Sequence, residues 1–297
     1  MPRKTLISSS SGLVEDVADP GSRRGLGAED FSPEFQLSFP YRGVFIWHVG
    51  RDEVVGDANQ ILFVTGGEAF RLSVPRPGGF SEMIVTPTQS LLREVTEATG
   101  FDLEDHPSFR ARSRMATPSI QRECAALLHD AETQRATEAL EAEEQLLDLL
   151  RAAFAVELAT KTPSTRTRRL IRRTKEFLES TFSRSLRLTD VAEAVGASST
   201  YLTDVFSRFE GVSLHRYVTQ LRLARALVEL PEAGDLTRLA LDLGFSSHSH
   251  FTLAFRRAFG CTPSAFRTRS TRKLRDAMHA ATRPARGNVK LTSSVAP

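Results

Sequence analysis

Along the first third of the chain the apolar positions come in short bursts. "FQLSF" (35–39), "VFIWHV" (44–49), "QILFVT" (60–65), "FRLSV" (70–74) and "EMIVT" (82–86) are runs of β-branched and aromatic residues. Between them lie "PYRG", "GDAN", "TGGE" and "PRPGG", which supply the Gly, Pro, Asn and Asp that tight turns need. Several short strands at near-regular spacing predict a β-sandwich or small barrel over about residues 31–90. From about Ser119 the period changes to that of a helix. In "ALEAEEQLLDLLRAAFAVEL" (139–158), Leu140, Leu147, Leu150, Phe154 and Leu158 share one face. Leu146, Leu149, Ala153 and Val156 form a second apolar stripe. A helix apolar on two sides must bury both. Either one stripe lies on the β-body and the other on a partner subunit, or both lie on the protomer's own core. The first option makes Leu140, Leu147, Leu150 and Phe154 candidate dimerisation residues.

Beyond "TKTPSTRTRR" (160–169), which reads as a linker, the period is helical to about residue 267, and two stretches share one layout. Each opens with an amphipathic helix: Leu188, Val191, Ala192 and Val195 in one, Leu236, Leu239, Ala240 and Leu243 in the other. A glycine follows, Gly196 or Gly244, suited to the left-handed turn that ends a helix. Next stands a serine pair able to cap a new helix, Ser198-Ser199 or Ser246-Ser247. The second helix keeps one apolar face, Leu202, Val205, Phe206 and Phe209 against Phe251, Ala254, Phe255 and Phe259, and leaves the other polar. Gly211 or Gly260 closes the unit. Helix, glycine turn and capped helix make a helix-turn-helix, whose second helix enters a DNA major groove by its N-terminal end. The segment between the copies, "LHRYVTQLRLARALVEL", predicts one long helix that fixes their separation.

Charge sharpens the division. Residues 1–160 hold 15 Lys+Arg against 25 Asp+Glu, a net of −10, while residues 161–297 hold 24 against 11, a net of +13. The overall +3 conceals this asymmetry, which points to a polyanionic partner for the C-terminal half alone. A merely solvated basic surface is the bland alternative. Hydrophobic content of 40% and charged content of 25% belong to a soluble globular chain. Apolar runs fall short of a membrane span, and "MPRKTLISSSSGL" lacks a signal-peptide core, so a cytoplasmic location is expected. Cys124 and Cys261 have neither metal-ligand nor redox spacing. Cys124, beside Arg122, reads as a buried helical cysteine rather than a redox sensor. His248 and His250 diverge by about 200° on a helix, which disfavours a shared metal. In the acidic half His48, His106 and His129 are not clustered as a metal-dependent cupin enzyme needs, and no nucleotide-binding or hydrolase motif is present. No cofactor and no metal are expected. His48 beside Trp47 either lines an effector pocket or is a packed pair.

"LALDLGFSSHSHFTLAFRRAFGCTPSAFR" resembles the C-terminal signature of AraC/XylS-type bacterial transcriptional regulators: Gly-Phe, a serine-rich cap, a basic pair before Ala-Phe-Gly, then Thr-Pro and an aromatic-Arg ending. The resemblance covers about residues 168–268. It implies two helix-turn-helix subdomains joined by a long helix, bound to successive major grooves of double-stranded promoter DNA. It also implies an N-terminal cupin-like β-barrel or sandwich, followed by dimerisation helices at 119–158. The expected organisation is a disordered tail at 1–30, a cupin-like regulatory and dimerisation domain at 31–159, a linker at 160–168, the DNA-binding domain at 169–268, and a basic tail at 269–297. Carried over by position, Ser199, Thr200, Thr203, Asp204, Ser247, His248, Ser249, His250 and Thr252 become base-reading candidates, with Leu253 beside them. Asp204 can instead pair with Arg208 one turn on. Arg208, Arg256, Arg257 and Arg267 become phosphate contacts. The implied partners are DNA, a second copy of the chain, RNA polymerase and an unidentified small-molecule effector, with no membrane. A cupin-type enzyme with a DNA-binding tail, and a regulator controlled by protein partners only, are the competing readings.

Overall fold

A computed structural model describes residues 2–21, 25–75, 78–99, 112–132, 139–155 and 164–269. Its N-terminal half contains strands β1 (Arg3–Ser9), β2 (Gly12–Asp19), β3 (Asp30–Phe31), β4 (Gln36–Gly43), β5 (Phe45–Val49) and β6 (Asp52–Gly56). Strands β7 (Gln60–Val64), β8 (Ala69–Ser73), β9 (Phe80–Pro87) and β10 (Ser113–Met115) follow, with helices α1 (Gln89–Thr99), α2 (Pro118–Glu132) and α3 (Ala139–Phe154). The C-terminal half is helical: α4 (Thr165–Thr181), α5 (Leu188–Val195), α6 (Ser199–Glu210), α7 (Leu214–Glu229), α8 (Leu236–Asp242) and α9 (His248–Phe259). The chain therefore has an N-terminal β-sheet domain and a C-terminal helical domain.

Two antiparallel sheets build the first domain, one of order β1-β2-β9-β4-β7-β10 and one of order β3-β8-β5-β6. The five apolar runs are β4, β5, β7, β8 and β9. Between the sheets lie Phe45, Trp47, Val49, Leu62, Val64 and Phe80. On the far face of the larger sheet, Leu37, Phe63, Met83 and Val85 meet Leu92 and Val95 of α1, Ile120 of α2, and α3. Each such side chain removed from water contributes about 1.5–3 kcal/mol. One carboxyl is enclosed on the opposite, inter-sheet side of β9, the side of Phe80: Glu82 is 5% exposed and hydrogen-bonded to Ser38 Oγ. Burial pushes it up to about 7, against the opposing pull of Ser38 and Arg3.

Three expectations are corrected here. The N-terminal tail is not disordered through residue 19: β1 and β2 form a hairpin, and β2 pairs with β9 from Gly12↔Pro87 to Asp19↔Phe80. Val14 and Val17 are buried by that pairing. The linker does not extend to residue 168, because Ser164 caps α4 and the helix starts at Thr165. Residues 160–163 and the basic tail from 270 lie outside the described residues. Finally, two of the expected dimerisation residues, Leu150 and Phe154, are not left for a partner. Leu146, Leu149, Leu150 and Ala153 are fully enclosed in the protomer's own core together with Phe154, and Leu147 packs against the same cluster. The side chain of Leu140, and residues 156–158, lie outside the described part.

The domains are joined by more than the chain. The turn "GDAN" between β6 and β7 inserts into the helical domain, where Ala58 joins the core formed by Tyr217, Val218, Leu221 and Ala224 of α7. Asp57 accepts a hydrogen bond from Tyr217 Oη at 2.5 Å and another from the Asn59 N–H at 2.9 Å. Asn59 Nδ2 donates to the Tyr217 carbonyl at 3.0 Å. Burial raises Asp57 above the usual carboxylate range, with Lys175 and Tyr217 working against the shift. Beside it Lys175 and Glu210 form an enclosed ion pair at 2.8 Å. At the rim Asp52 pairs with Arg168, and Glu53 with Arg172. From α2, Ala125 enters the core of the second helical unit.

Candidate nucleic-acid interface

Each half of the helical domain repeats the predicted unit. Gly196 ends α5 at φ 70°, and the Ser198 side chain then accepts from the Tyr201 N–H to cap α6. In the second copy Gly244 turns the chain at φ 84°, and Ser247 caps α9 by accepting from the His250 N–H. The apolar face of each second helix is buried, through Leu202, Val205 and Phe206 in α6 and Phe251, Phe255 and Phe259 in α9. Those contacts leave the opposite face outside. Thr200, Tyr201, Asp204, Ser207 and Arg208 are exposed on α6, and His248, Ser249, His250, Leu253, Arg256 and Arg257 on α9.

Aligning the two caps places Tyr201 opposite His250, Asp204 opposite Leu253, and Arg208 opposite Arg257. Tyr201, 43% exposed, was absent from the expected reading set, and Leu253, 39% exposed, stood only at its margin. Counting three residues on from each cap serine would have found Tyr201. Large side chains left in water on a helix otherwise pinned by its apolar face are notable, and Leu or Tyr suits a thymine methyl or sugar edge.

Several expected contacts are arranged differently. The Thr203 hydroxyl donates back to the Ser199 and Thr200 carbonyls, both at 3.0 Å. Thr252 Oγ1 is enclosed, so its hydroxyl does not face outward as a base reader would. Ser199 is half-buried. His250 Nδ1 lies 3.1 Å from Ser246 Oγ, and its ring meets Phe245 edge-on at 5.5 Å. Asp204 and Arg208 form an i,i+4 ion pair at 2.8 Å, the alternative the spacing had left open. Arg267 is turned inward: its guanidinium donates to the Ala233 carbonyl at 2.7 Å, so it braces the turn before α8 rather than facing a phosphate. Arg256 and Arg257 remain exposed in the last turn of α9.

Between the two units opens a cleft of about 660 Å³. Thr203 of α6 and His250 of α9 both line it, so each second helix borders the same cleft. Arg187, His215 and Arg222 also line it, and its described lining holds no acidic side chain. Burial lowers Arg222 from the ordinary guanidinium range.

The remaining candidates resolve in the first domain. Trp47 is 2% exposed inside the inter-sheet core, edge-on to Phe70 at 6.1 Å, so it is packing and not a pocket wall. His48, on the opposite face of β5, contacts Ser73 Oγ at 2.7 Å, and burial holds it below the usual imidazole range. Cys124 is buried and its thiol is pushed up by burial. Among the described residues no group of three or more His, Cys, Asp or Glu gathers where a metal could sit. No described helix is long and apolar enough to cross a membrane.

Two capped helices, each presented by an apolar helix and a glycine turn, define a protein with paired helix-turn-helix units. Residues 191–269 match a family profile described as a helix-turn-helix domain. The chain is 31% identical over 103 residues to the Msm operon regulatory protein of Streptococcus mutans, covering 34% of this chain and 37% of that one. It thus spans little more than a third of that relative's length. It is 35% identical to the transposon Tn10 TetD protein of Escherichia coli, across 35% of this chain and 75% of that one. Among solved structures, an AraC-type transcriptional regulator from Chromobacterium violaceum is 27% identical, covering 36% of this chain and 96% of that chain, at a TM-score of 0.34. The chain belongs to the AraC family of transcriptional regulators.

Proposed function

We propose that the chain is a sequence-specific DNA-binding regulator of bacterial promoters. In this reading α6 and α9 enter successive major grooves of double-stranded DNA, about 34 Å apart along one face. The carrying observation is the exposed face of each helix on the basic half of the chain, with both helices bordering one cleft. Thr200, Tyr201, His248, Ser249, His250 and Leu253 are the base-facing set. Asp204 either accepts from a cytosine amine or steers Arg208. Arg256 and Arg257 contact phosphates. The β-sheet domain is read as a cupin-like regulatory domain that senses an effector or partner and acts through the Asp57–Asn59 turn on α7. Self-association and contact with RNA polymerase belong to the same reading, through surfaces other than the buried stripes of α3. No catalytic constellation is assigned.

A mobility-shift titration against the DNA upstream of the chain's own gene tests it. With Arg256 and Arg257 both changed to Ala, binding weakens and the slope of log K against log salt becomes shallower by about 2, roughly 0.9 for each phosphate no longer neutralised. An unchanged slope would remove the phosphate role. Absence of any binding by the unaltered chain would remove the reading.

A further inference from the structure

Two reading heads select DNA as a pair only if something fixes the distance and twist between them. In this molecule α7 alone does not do so, because its two faces serve two separate cores. Tyr217, Val218, Leu221 and Ala224 belong to the first unit's core, and Leu223, Ala226 and Leu227 to the second's. Two cores sharing one helix can still rock about it. A second connection lies to one side. The Arg222 guanidinium reaches from α7 to the loop after α4, its Nε donating to the Phe182 carbonyl at 2.7 Å and its Nη2 to the Arg184 carbonyl at 2.9 Å. The same guanidinium stands 5.7 Å from the ring centre of Phe245, in the turn just before α9. That turn lies hard against the same loop: a Cβ placed on Gly244 would stand 2.6 Å from the Ser183 carbonyl oxygen. The Phe182 ring packs against both cores.

We infer that Arg222 is a positioning residue that locks the first helix-turn-helix unit to the second and so sets the spacing at which two DNA elements are read together. The proposal rests on the reading of α6 and α9 as DNA-entering helices and adds a determinant of their joint specificity. The chemistry suits arginine in particular. Its planar fork donates to two carbonyls of one loop while its charge stays over an aromatic ring, a combination that a fixed, forked guanidinium suits better than a lysine ammonium. Loop and turn belong to different units, so losing the fork loosens the seam between them without opening either core.

The test is selection from a randomised duplex library by the full-length chain, followed by titration of the selected duplex and of the same duplex with one base pair inserted between its two elements. The unaltered chain enriches two elements at a single spacing near one helical turn, roughly 10–10.5 base pairs. The insertion weakens its binding by about tenfold or more, the scale of one mismatched base pair in a specific site. Arg222→Met enriches the same elements over neighbouring spacings, and its penalty for the insertion falls to about threefold or less. Arg222→Lys gives an intermediate penalty, and Phe245→Leu, which leaves the fork in place, serves should the methionine variant fail to fold. The ratio of the two affinities is decisive, because a variant that is merely less stable weakens both duplexes alike. A ratio as steep as the unaltered chain's in folded Arg222→Met, or in both substitutes, would overturn the inference. Failure of the unaltered chain to enrich paired elements would instead overturn the DNA reading itself.

Discussion

Tyr217→Phe removes one oxygen from the molecule and leaves a buried carboxylate short of a partner. Tyr217 and Asp57 are both fully enclosed, and the bond between them joins the β-sheet domain to the helix shared by both helix-turn-helix units. A buried polar group left without its hydrogen-bond partner costs about 1–3 kcal/mol, and the full enclosure of both residues argues for the upper part of that range. Asp57 keeps only the Asn59 N–H and the nearby Lys175 charge, so about 2–3 kcal/mol is lost. Asp57→Ala strands the Asn59 N–H instead and leaves the Tyr217 hydroxyl with Gln60 alone, at a similar cost. In the double variant neither group is stranded by the other, so its destabilisation falls short of the sum by about 2 kcal/mol. Urea unfolding at pH 7 provides the assay. The single tryptophan, Trp47, reports the β-sheet domain, and far-ultraviolet circular dichroism is dominated by the helices. With the latch intact the two signals share a midpoint, and in Tyr217→Phe the midpoints separate. A Tyr217→Phe variant within about 0.5 kcal/mol of the unaltered chain, with coincident transitions, would refute the latch.

Three other perturbations follow from the same structure. The Glu82 carboxyl is raised in the folded chain to about 7 from an ordinary 4.5, so its contribution is fully present below about 4.5 and is lost as pH rises through 7. That amounts to on the order of 3 kcal/mol, and Glu82→Gln should flatten the melting temperature between pH 4.5 and 8; an unchanged slope would count against the burial of that charge. Leu150→Ala should lower stability by about 2–5 kcal/mol while leaving the molar mass in light scattering unaltered, since Leu150 lies in the protomer's own core; a fall in mass would return that helix to a subunit interface. Asp204→Ala removes an anion from the exposed face of α6 and releases Arg208. Binding to random-sequence duplex should tighten several-fold with a salt slope steeper by about 0.9, and unchanged binding would place Asp204 away from DNA.

The doubled helical unit was legible because its signals are local. Apolar periodicity, a glycine and a cap serine within about twenty residues fix both helices and the turn between them, and the caps at Ser198 and Ser247 form as their spacing implies. Tyr201 is equally local, but a search for small polar side chains passes over it. The hairpin β1–β2 was obscured by its Ser, Gly and Asp content, although Val14 and Val17 carry enough apolar surface to bury against the sheet. The apolar residues of α1, Leu92 and Val95, are three apart as a helix requires, but they follow the strand runs without a clear break. Other features depend on distant residues. "GDAN" announces a turn, while its insertion beside Tyr217, 160 positions away, follows from tertiary packing alone. The same holds for Arg267, whose partner at Ala233 turns a candidate phosphate ligand into a brace, and for Leu146, Leu149, Leu150, Ala153 and Phe154 of α3, which pack within one protomer.

Hydroxyl-radical footprinting of the full-length chain on its selected duplex tests the central claim most directly. Two protected blocks about one helical turn apart on one face of the DNA are expected, the block under α6 fading in Tyr201→Ala and the block under α9 in Arg256→Ala/Arg257→Ala. A single block, or two blocks that fade together whichever helix is altered, would contradict a pair of separate reading heads.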